Sequence, residues 1–124
     1  MPPIVALFAV LSCAVSAEAQ IAFTERALQA GVADGGAANG AVFGDYNDDG
    51  WPDLFVARLE VGASSLLYAN AGNGTFADER ALVEGVGRSM GGVFVDYDGD
   101  GDRDLYAVRF NESNALLRNE RGAL

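Results

Sequence analysis

Histidine and lysine are both absent from this 124-residue chain, and Cys13 is its only cysteine. These absences exclude zinc or haem ligation by histidine and cysteine, histidine-based catalytic triads and Schiff-base lysines. Cys13 lies in an apolar N-terminal run, so removal of that run would leave no thiol chemistry and no disulfide framework. The chemistry that remains is that of carboxylates.

Positive charge is also scarce, since eight arginines accompany 18 acidic residues and the net charge is −10. A nucleic-acid-binding protein needs a basic surface to contact phosphates, so a nucleic-acid partner is excluded. The acidic residues are unevenly distributed, and nine of them lie in two nine-residue windows, 45–53 and 96–104. The low isoelectric point therefore reflects two local clusters and not a generally acidic surface.

The N-terminus has the features of a secretory signal peptide. Residues 4–15 form an apolar run of twelve residues, which is too short to cross a bilayer as a helix. Ala17-Glu18-Ala19 then matches an A-x-A cleavage site. We expect a signal peptide over residues 1–19 and a secreted mature protein, extracellular or periplasmic, without a stable membrane span. A buried apolar segment and a lipoprotein site at Cys13 are the alternatives.

The rest of the chain contains an internal repeat. Residues 40–58 align without a gap with residues 91–109, at an offset of 51, and shorter blocks on both sides recur in the same order. We expect two copies, residues 20–74 and 75–124. Short apolar, β-branched and aromatic runs between glycine-containing turns predict strands in each copy. These predicted strands cover residues 41–46, 54–59 and 66–70 in the first copy, and 93–97, 105–110 and 116–119 in the second.

Each copy also contains an acidic loop of the form D-x-[DN]-x-D-G-x-x-D. Calcium takes six to eight oxygen ligands at roughly 2.3–2.6 Å. Side chains at loop positions 1, 3 and 5 can converge because the glycine at position 6 permits a sharp turn. The backbone carbonyl at position 7 and the carboxylate at position 9 would complete the shell. The candidate calcium ligands are Asp45, Asn47, Asp49, Trp51 and Asp53 in the first loop, and Asp96, Asp98, Asp100, Asp102 and Asp104 in the second.

Three other interpretations of the loops are weaker. An EF-hand is excluded because it needs a glutamate at position 12, where Val56 and Ala107 stand, and helices on both flanks. Acidic turns without metal remain the alternative, although two matched loops at a fixed offset favour metal sites. A glycosidase acid–base pair has little support, since the loop spacing already accounts for the acids.

We expect the second loop to bind calcium more tightly, because it offers one more carboxylate.

The loops and their flanking strands resemble FG-GAP/VCBS repeats, the calcium-loop blades of integrin α-subunit propellers and of many bacterial extracellular proteins. The similarity spans residues 20–124 and includes features of the bacterial variety associated with cartilage-acidic-protein-like chains. It is most specific from Phe43-Gly44-Asp45 to Asp53-Leu54, and from Val93-Phe94-Val95-Asp96 to Asp104-Leu105. Val95 replaces the glycine of the FG pair and the integrin GAP tripeptide is absent, which disfavours an integrin-like ligand role but leaves the metal positions intact.

This resemblance implies an all-β fold in which each copy is one four-stranded antiparallel blade of a β-propeller. Since a propeller closes with about four to eight blades, two copies imply an incomplete propeller and a fragment of a longer chain. The implied function is non-catalytic: a secreted calcium-binding module for protein or glycan interaction, with the metal as a structural staple. The alternative is an accessory propeller of a larger extracellular enzyme whose catalytic domain lies elsewhere.

Overall fold

The computed structural model describes residues 21–122 and 124, so the predicted signal peptide lies outside the described residues. No helix in this part of the chain is long and apolar enough to span a membrane. The elements in chain order are α1 (Ala27–Ala30), β1 (Ala38–Gly44), β2 (Asp53–Arg58), β3 (Leu66–Asn70), β4 (Phe76–Asp78), a 3-10 helix (Arg80–Val86), β5 (Ser89–Val95), β6 (Asp104–Arg109) and β7 (Ala115–Leu117).

The strands form two antiparallel sheets, with the order β1-β2-β3-β4 in the first and β5-β6-β7 in the second. The prediction of an all-β fold with antiparallel sheets is therefore confirmed. The described second sheet has three strands where four were predicted. The predicted first strands extend two residues too far, to Tyr46 and Tyr97, because the chain leaves the sheet at the acidic loop.

The position of β4 shows that the boundary between the two sequence copies does not coincide with the boundary between the two sheets, because β4 belongs to the second copy but to the first sheet. Phe76–Asp78 lies in the predicted second copy, but it pairs with β3 of the first sheet. The corresponding residues of the first copy begin at Phe23, where the described chain has no strand and the phenylalanine side chain is exposed. A strand at this position thus pairs with the sheet of the preceding repeat.

The two sheets pack face to face and enclose the inter-sheet core. Alternate residues of β2 point into this core, and Phe55 and Ala57 are fully buried there. From the second sheet, Leu105 and Ala107 meet them, and the half-buried ring of Phe94 packs against the same cluster. The buried members of the core are Tyr46, Phe55, Ala57, Leu67, Val83, Val86, Leu105 and Ala107.

The opposite side of the second sheet is an open apolar face. On β6 the burial alternates so that Tyr106 and Val108, which correspond in the repeat to Phe55 and Ala57, are exposed. The face that the first sheet buries against its neighbour is therefore left uncovered on the second. The residues of the open face are Val93, Val95, Tyr106, Val108 and Leu116.

Gly44 permits the close approach of the sheets. A Cβ atom on Gly44 would lie 2.5 Å from the Phe94 ring, well inside van der Waals contact. Val95 occupies the equivalent position of the second repeat, on the open face, where it remains partly exposed. The departure from the FG pair at Val95 therefore has a physical reason: no ring packs on that position in the described structure.

We predict that Gly44→Ala lowers the free energy of unfolding by about 1–3 kcal/mol, because the added methyl overpacks the inter-sheet core. Gly91→Ala is the matched control, since Gly91 is also a strand glycine and a Cβ there would meet nothing within 4 Å. Urea denaturation of both variants measures the difference. Equal loss of stability in the two variants would contradict this role of Gly44.

Candidate metal centre

The acidic loops join the first two strands of each sheet. The first loop begins after β1 and ends at Asp53, the first residue of β2, and the second loop ends likewise at Asp104 on β6. The loops therefore lie at the same end of their sheets, and position 9 of each is held by a strand. The structure places the ten candidate residues in these two loops and at these strand starts.

The first loop folds around the carboxylate of Asp45. Its Oδ2 accepts the N–H of Gly50 at 2.9 Å, and its Oδ1 accepts the N–H of Asp49 at 3.1 Å. Asn47 Oδ1 also accepts the Asp49 N–H at 3.2 Å, and Asp49 Oδ1 accepts the N–H of Trp51 at 2.8 Å. Backbone donors thus orient the side chains at positions 1, 3 and 5.

The second loop repeats this arrangement. Asp96 accepts the N–H of Gly101 at 3.1 Å through Oδ2 and that of Gly99 at 2.8 Å through Oδ1. Asp98 accepts the N–H of Asp100 at 3.2 Å, and Asp100 accepts that of Asp102 at 3.0 Å. The two loops share a geometry although four of their nine residues differ in type.

Two positions of each loop adopt left-handed backbone conformations. Position 6, predicted from its glycine, has φ of 89° at Gly50 and 98° at Gly101. Position 4 has φ of 57° at Asp48 and 79° at Gly99. The left-handed conformation at position 4 was not predicted, because the residue there in the first loop is an aspartate, which tolerates this conformation at some cost. Gly99, at the same position of the second loop, was the sequence feature that could have indicated this conformation.

The carboxylates at position 9 are fully buried and hydrogen-bonded through both oxygens. Asp53 accepts the N–H groups of Tyr46 at 3.0 Å and Asn70 at 2.8 Å. Asp104 accepts those of Tyr97 at 3.1 Å and Asn119 at 2.7 Å. Each of these aspartates therefore connects the start of its loop to the end of the third strand.

Burial raises the pKa of Asp53, and the nearby Asp49 and Asp45 carboxylates raise it further, while its two backbone hydrogen bonds lower it. Burial also raises the pKa of the adjacent Tyr46 hydroxyl to about 12, with Glu79, Asp53 and Asp49 adding to the effect.

Three carboxylates of the second loop converge. Asp96, Asp98 and Asp104 each present an oxygen, and these oxygens lie within 4.8 Å of one another. Ligand oxygens on opposite sides of a calcium ion are about 5 Å apart, so this spacing fits calcium. Asp100 lies outside the group of three. The corresponding residues of the first loop are Asp45, Asn47 and Asp53, of which one is a neutral amide.

The side chains at position 7 have partners outside the loops. The indole of Trp51 lies against Gly72, in the turn between β3 and β4. Asp102 Oδ2 accepts the N–H of Arg121 at 2.8 Å. The backbone carbonyl is therefore the group that position 7 could offer to a metal in each loop, as the sequence analysis expects.

Two asparagines that the sequence analysis did not select support the loops. Asn70 and Asn119 stand at equivalent places at the end of the third strand of each repeat, and their amides donate to the carbonyls of Pro52 and Arg103, both at 2.9 Å. Asn119 is fully buried and donates in addition to the Tyr46 carbonyl of the first loop. Their recurrence at equivalent places in the two copies was the only sequence feature that could have indicated this role, since their hydrogen-bond partners are distant in sequence.

The second repeat also covers the first loop. Arg103 donates to the carbonyl of Asp45 at 3.3 Å, beside the contact that Asn119 makes with Tyr46. Tyr46 is accordingly 5% exposed, whereas its counterpart Tyr97 is 51% exposed. The first loop is therefore supported by a neighbouring repeat, and the second loop has no such cover among the described residues.

A protein-family model described as an FG-GAP-like repeat matches residues 45–107. This match includes both acidic loops and covers half of the chain. The protein therefore belongs to the FG-GAP-like repeat family, in agreement with the resemblance seen in its sequence. No curated protein and no solved structure matches the chain.

We predict that Asn119→Ala lowers the free energy of unfolding by about 2–3 kcal/mol, since it removes the buried donor to the Tyr46 carbonyl and the part-buried donor to the Arg103 carbonyl. Asn70→Ala is the matched variant and should cost about 1 kcal/mol, because its amide has only one carbonyl partner and lies near solvent. Denaturant titration compares them. Equal effects would show that the link between the loops contributes no stability.

Proposed function

We propose that the protein is an exported, non-catalytic calcium-binding module of β-propeller type, which contacts protein or glycan partners. The observation that carries the proposal is the convergence of Asp96, Asp98 and Asp104 in a loop of an FG-GAP-like repeat. The proposed organisation is a signal peptide over residues 1–19 followed by repeats at 20–74 and 75–124.

In this proposal calcium acts as a structural staple. The ion would be held by side chains at positions 1, 3, 5 and 9 and by the position 7 carbonyl, and its charge would offset the repulsion among these carboxylates. The buried aspartates at position 9 extend its influence to the strands, since Asp53 connects β2 to the end of β3. A bound ion would therefore stabilise the sheet as well as the loop.

The open apolar face supports the β-propeller part of the proposal. In the first sheet the equivalent face is covered by the next repeat, through contacts of Phe55 and Ala57 with Leu105 and Ala107. We propose that the open face is covered in the same way by a further repeat. Partner contacts would then use the loops and edges of the assembled propeller.

We predict that calcium raises the melting temperature of the full chain, because binding to the folded state alone stabilises it by about 2.7 kcal/mol at one hundred times the dissociation constant. Magnesium should stabilise less, since it requires a tighter octahedral shell. Calorimetric titration should detect two sites. Terbium luminescence excited through Trp51, at position 7 of the first loop, reports that site separately.

Paired variants assign the sites. Asp45→Ala with Asp49→Ala should abolish the first site and the terbium signal, whereas Asp96→Ala with Asp100→Ala should abolish the second site only. Circular dichroism of each variant confirms that its sheets are retained. Absence of any calcium response in the folded wild-type chain would identify both loops as acidic turns without metal.

A further inference from the structure

Arg118 follows β7 and lies on the second acidic loop. Its Nε is 2.8 Å from Asp98 Oδ2, and its Nη2 is 3.3 Å from Asp100 Oδ2. Its remaining nitrogen, Nη1, is 3.4 Å from Glu120. The guanidinium group therefore bridges the side chains at loop positions 3 and 5, two of the candidate calcium ligands.

In the described part of the chain, no arginine contacts the candidate ligand side chains of the first loop, although Arg103 donates to the backbone carbonyl of Asp45. Arg118 immediately precedes Asn119, and the corresponding residue before Asn70 is Ala69. The equivalence is structural, because both asparagines donate to the position 9 aspartate and to the carbonyl before it. The chain thus contains one loop with an arginine on its ligands and one without.

Arg118 contacts one carboxylate inside the convergent group, Asp98, and one outside it, Asp100. Asp100 Oδ1 accepts the Asp102 N–H and its Oδ2 contacts Arg118, and Asp100 lies outside the group formed by Asp96, Asp98 and Asp104. The hydrogen bond from Asp102 and the charge of Arg118 lower the pKa of Asp100. With Arg118 included, the four candidate carboxylate ligands of the second loop have a net charge of −3.

We infer that Arg118 is an internal counter-cation that lowers the calcium affinity of the second loop, an inference that rests on the proposed calcium function. Without calcium, the guanidinium group relieves repulsion between Asp98 and Asp100. When calcium enters, the two positive charges repel, and Asp100 must exchange the arginine for the metal. The extra carboxylate of the second loop therefore favours calcium less than a count of carboxylates alone predicts.

The test is calcium titration of the full chain by calorimetry, with the first loop disabled by Asp49→Ala. In this background Arg118→Gln should tighten binding about tenfold at low salt, because one positive charge beside a divalent ion is removed. The gain should shrink at high salt, where charges at the surface are screened. Arg118→Lys keeps the charge and should tighten binding less than Arg118→Gln, although lysine cannot make both contacts of the guanidinium group.

Two controls make the result specific. Arg26→Gln removes the same charge from an exposed arginine that makes no ion pair in the described part of the chain, and it should leave the affinity unchanged. Without calcium, Arg118→Gln should lower the melting temperature, whereas saturating calcium should remove this difference. Such a dependence on calcium is not expected of a side chain that only packs.

The outcomes separate the two hypotheses. If calcium binds and Arg118→Gln leaves its affinity unchanged, or if Arg118→Lys tightens binding as much as Arg118→Gln, the role of Arg118 as a counter-cation is wrong. If neither the wild-type chain nor any Arg118 variant binds calcium, the proposed function itself fails, and the inference fails with it.

Discussion

The buried carboxylate at the start of the second strand of each sheet is the constraint on which the structure depends. Removing a charged group from water costs several kcal/mol unless it is fully paired. Asp53 and Asp104 meet this requirement because backbone N–H groups from the loop and from the end of the third strand bind both oxygens. The same bonds set the loop against the sheet. Loop geometry and strand register are therefore satisfied together.

The two repeats then depend on each other through Asn119. This residue completes the shell of Asp104 in its own sheet and donates to Tyr46 of the other repeat. Arg103 adds a second donor to the first loop. Because both contacts are made to backbone carbonyls, the supported loop does not need particular side chains at those positions. Packing of the two sheets thus fixes the backbone of the first loop, and these two contacts do not use the side-chain oxygens of its candidate metal ligands.

Local features were predictable from the sequence and contacts between repeats were not. Short apolar, β-branched and aromatic runs located the strands, and the loop spacing located the candidate site, because both are encoded within about ten residues. The pairing of β4 with the first sheet and the contact of Asn119 with the first loop depend on which strands and sheets become neighbours. Arg118 illustrates the same limit, since counting carboxylates in the loop alone predicts a stronger second site. The arginine that contacts Asp98 and Asp100 directly follows β7 and lies 18 residues after Asp100.

The two halves of the chain show how one repeat pattern acquires different properties from its surroundings. Where a neighbour covers the sheet, glycine at position 44 admits Phe94 and small Ala69 packs against the core. At the equivalent positions the second repeat has Val95 on its open face and Arg118 directly after β7. Arg118 contacts the adjacent acidic loop through Asp98 and Asp100. The difference in packing between the repeats is therefore also a difference in the electrostatics of their acidic loops.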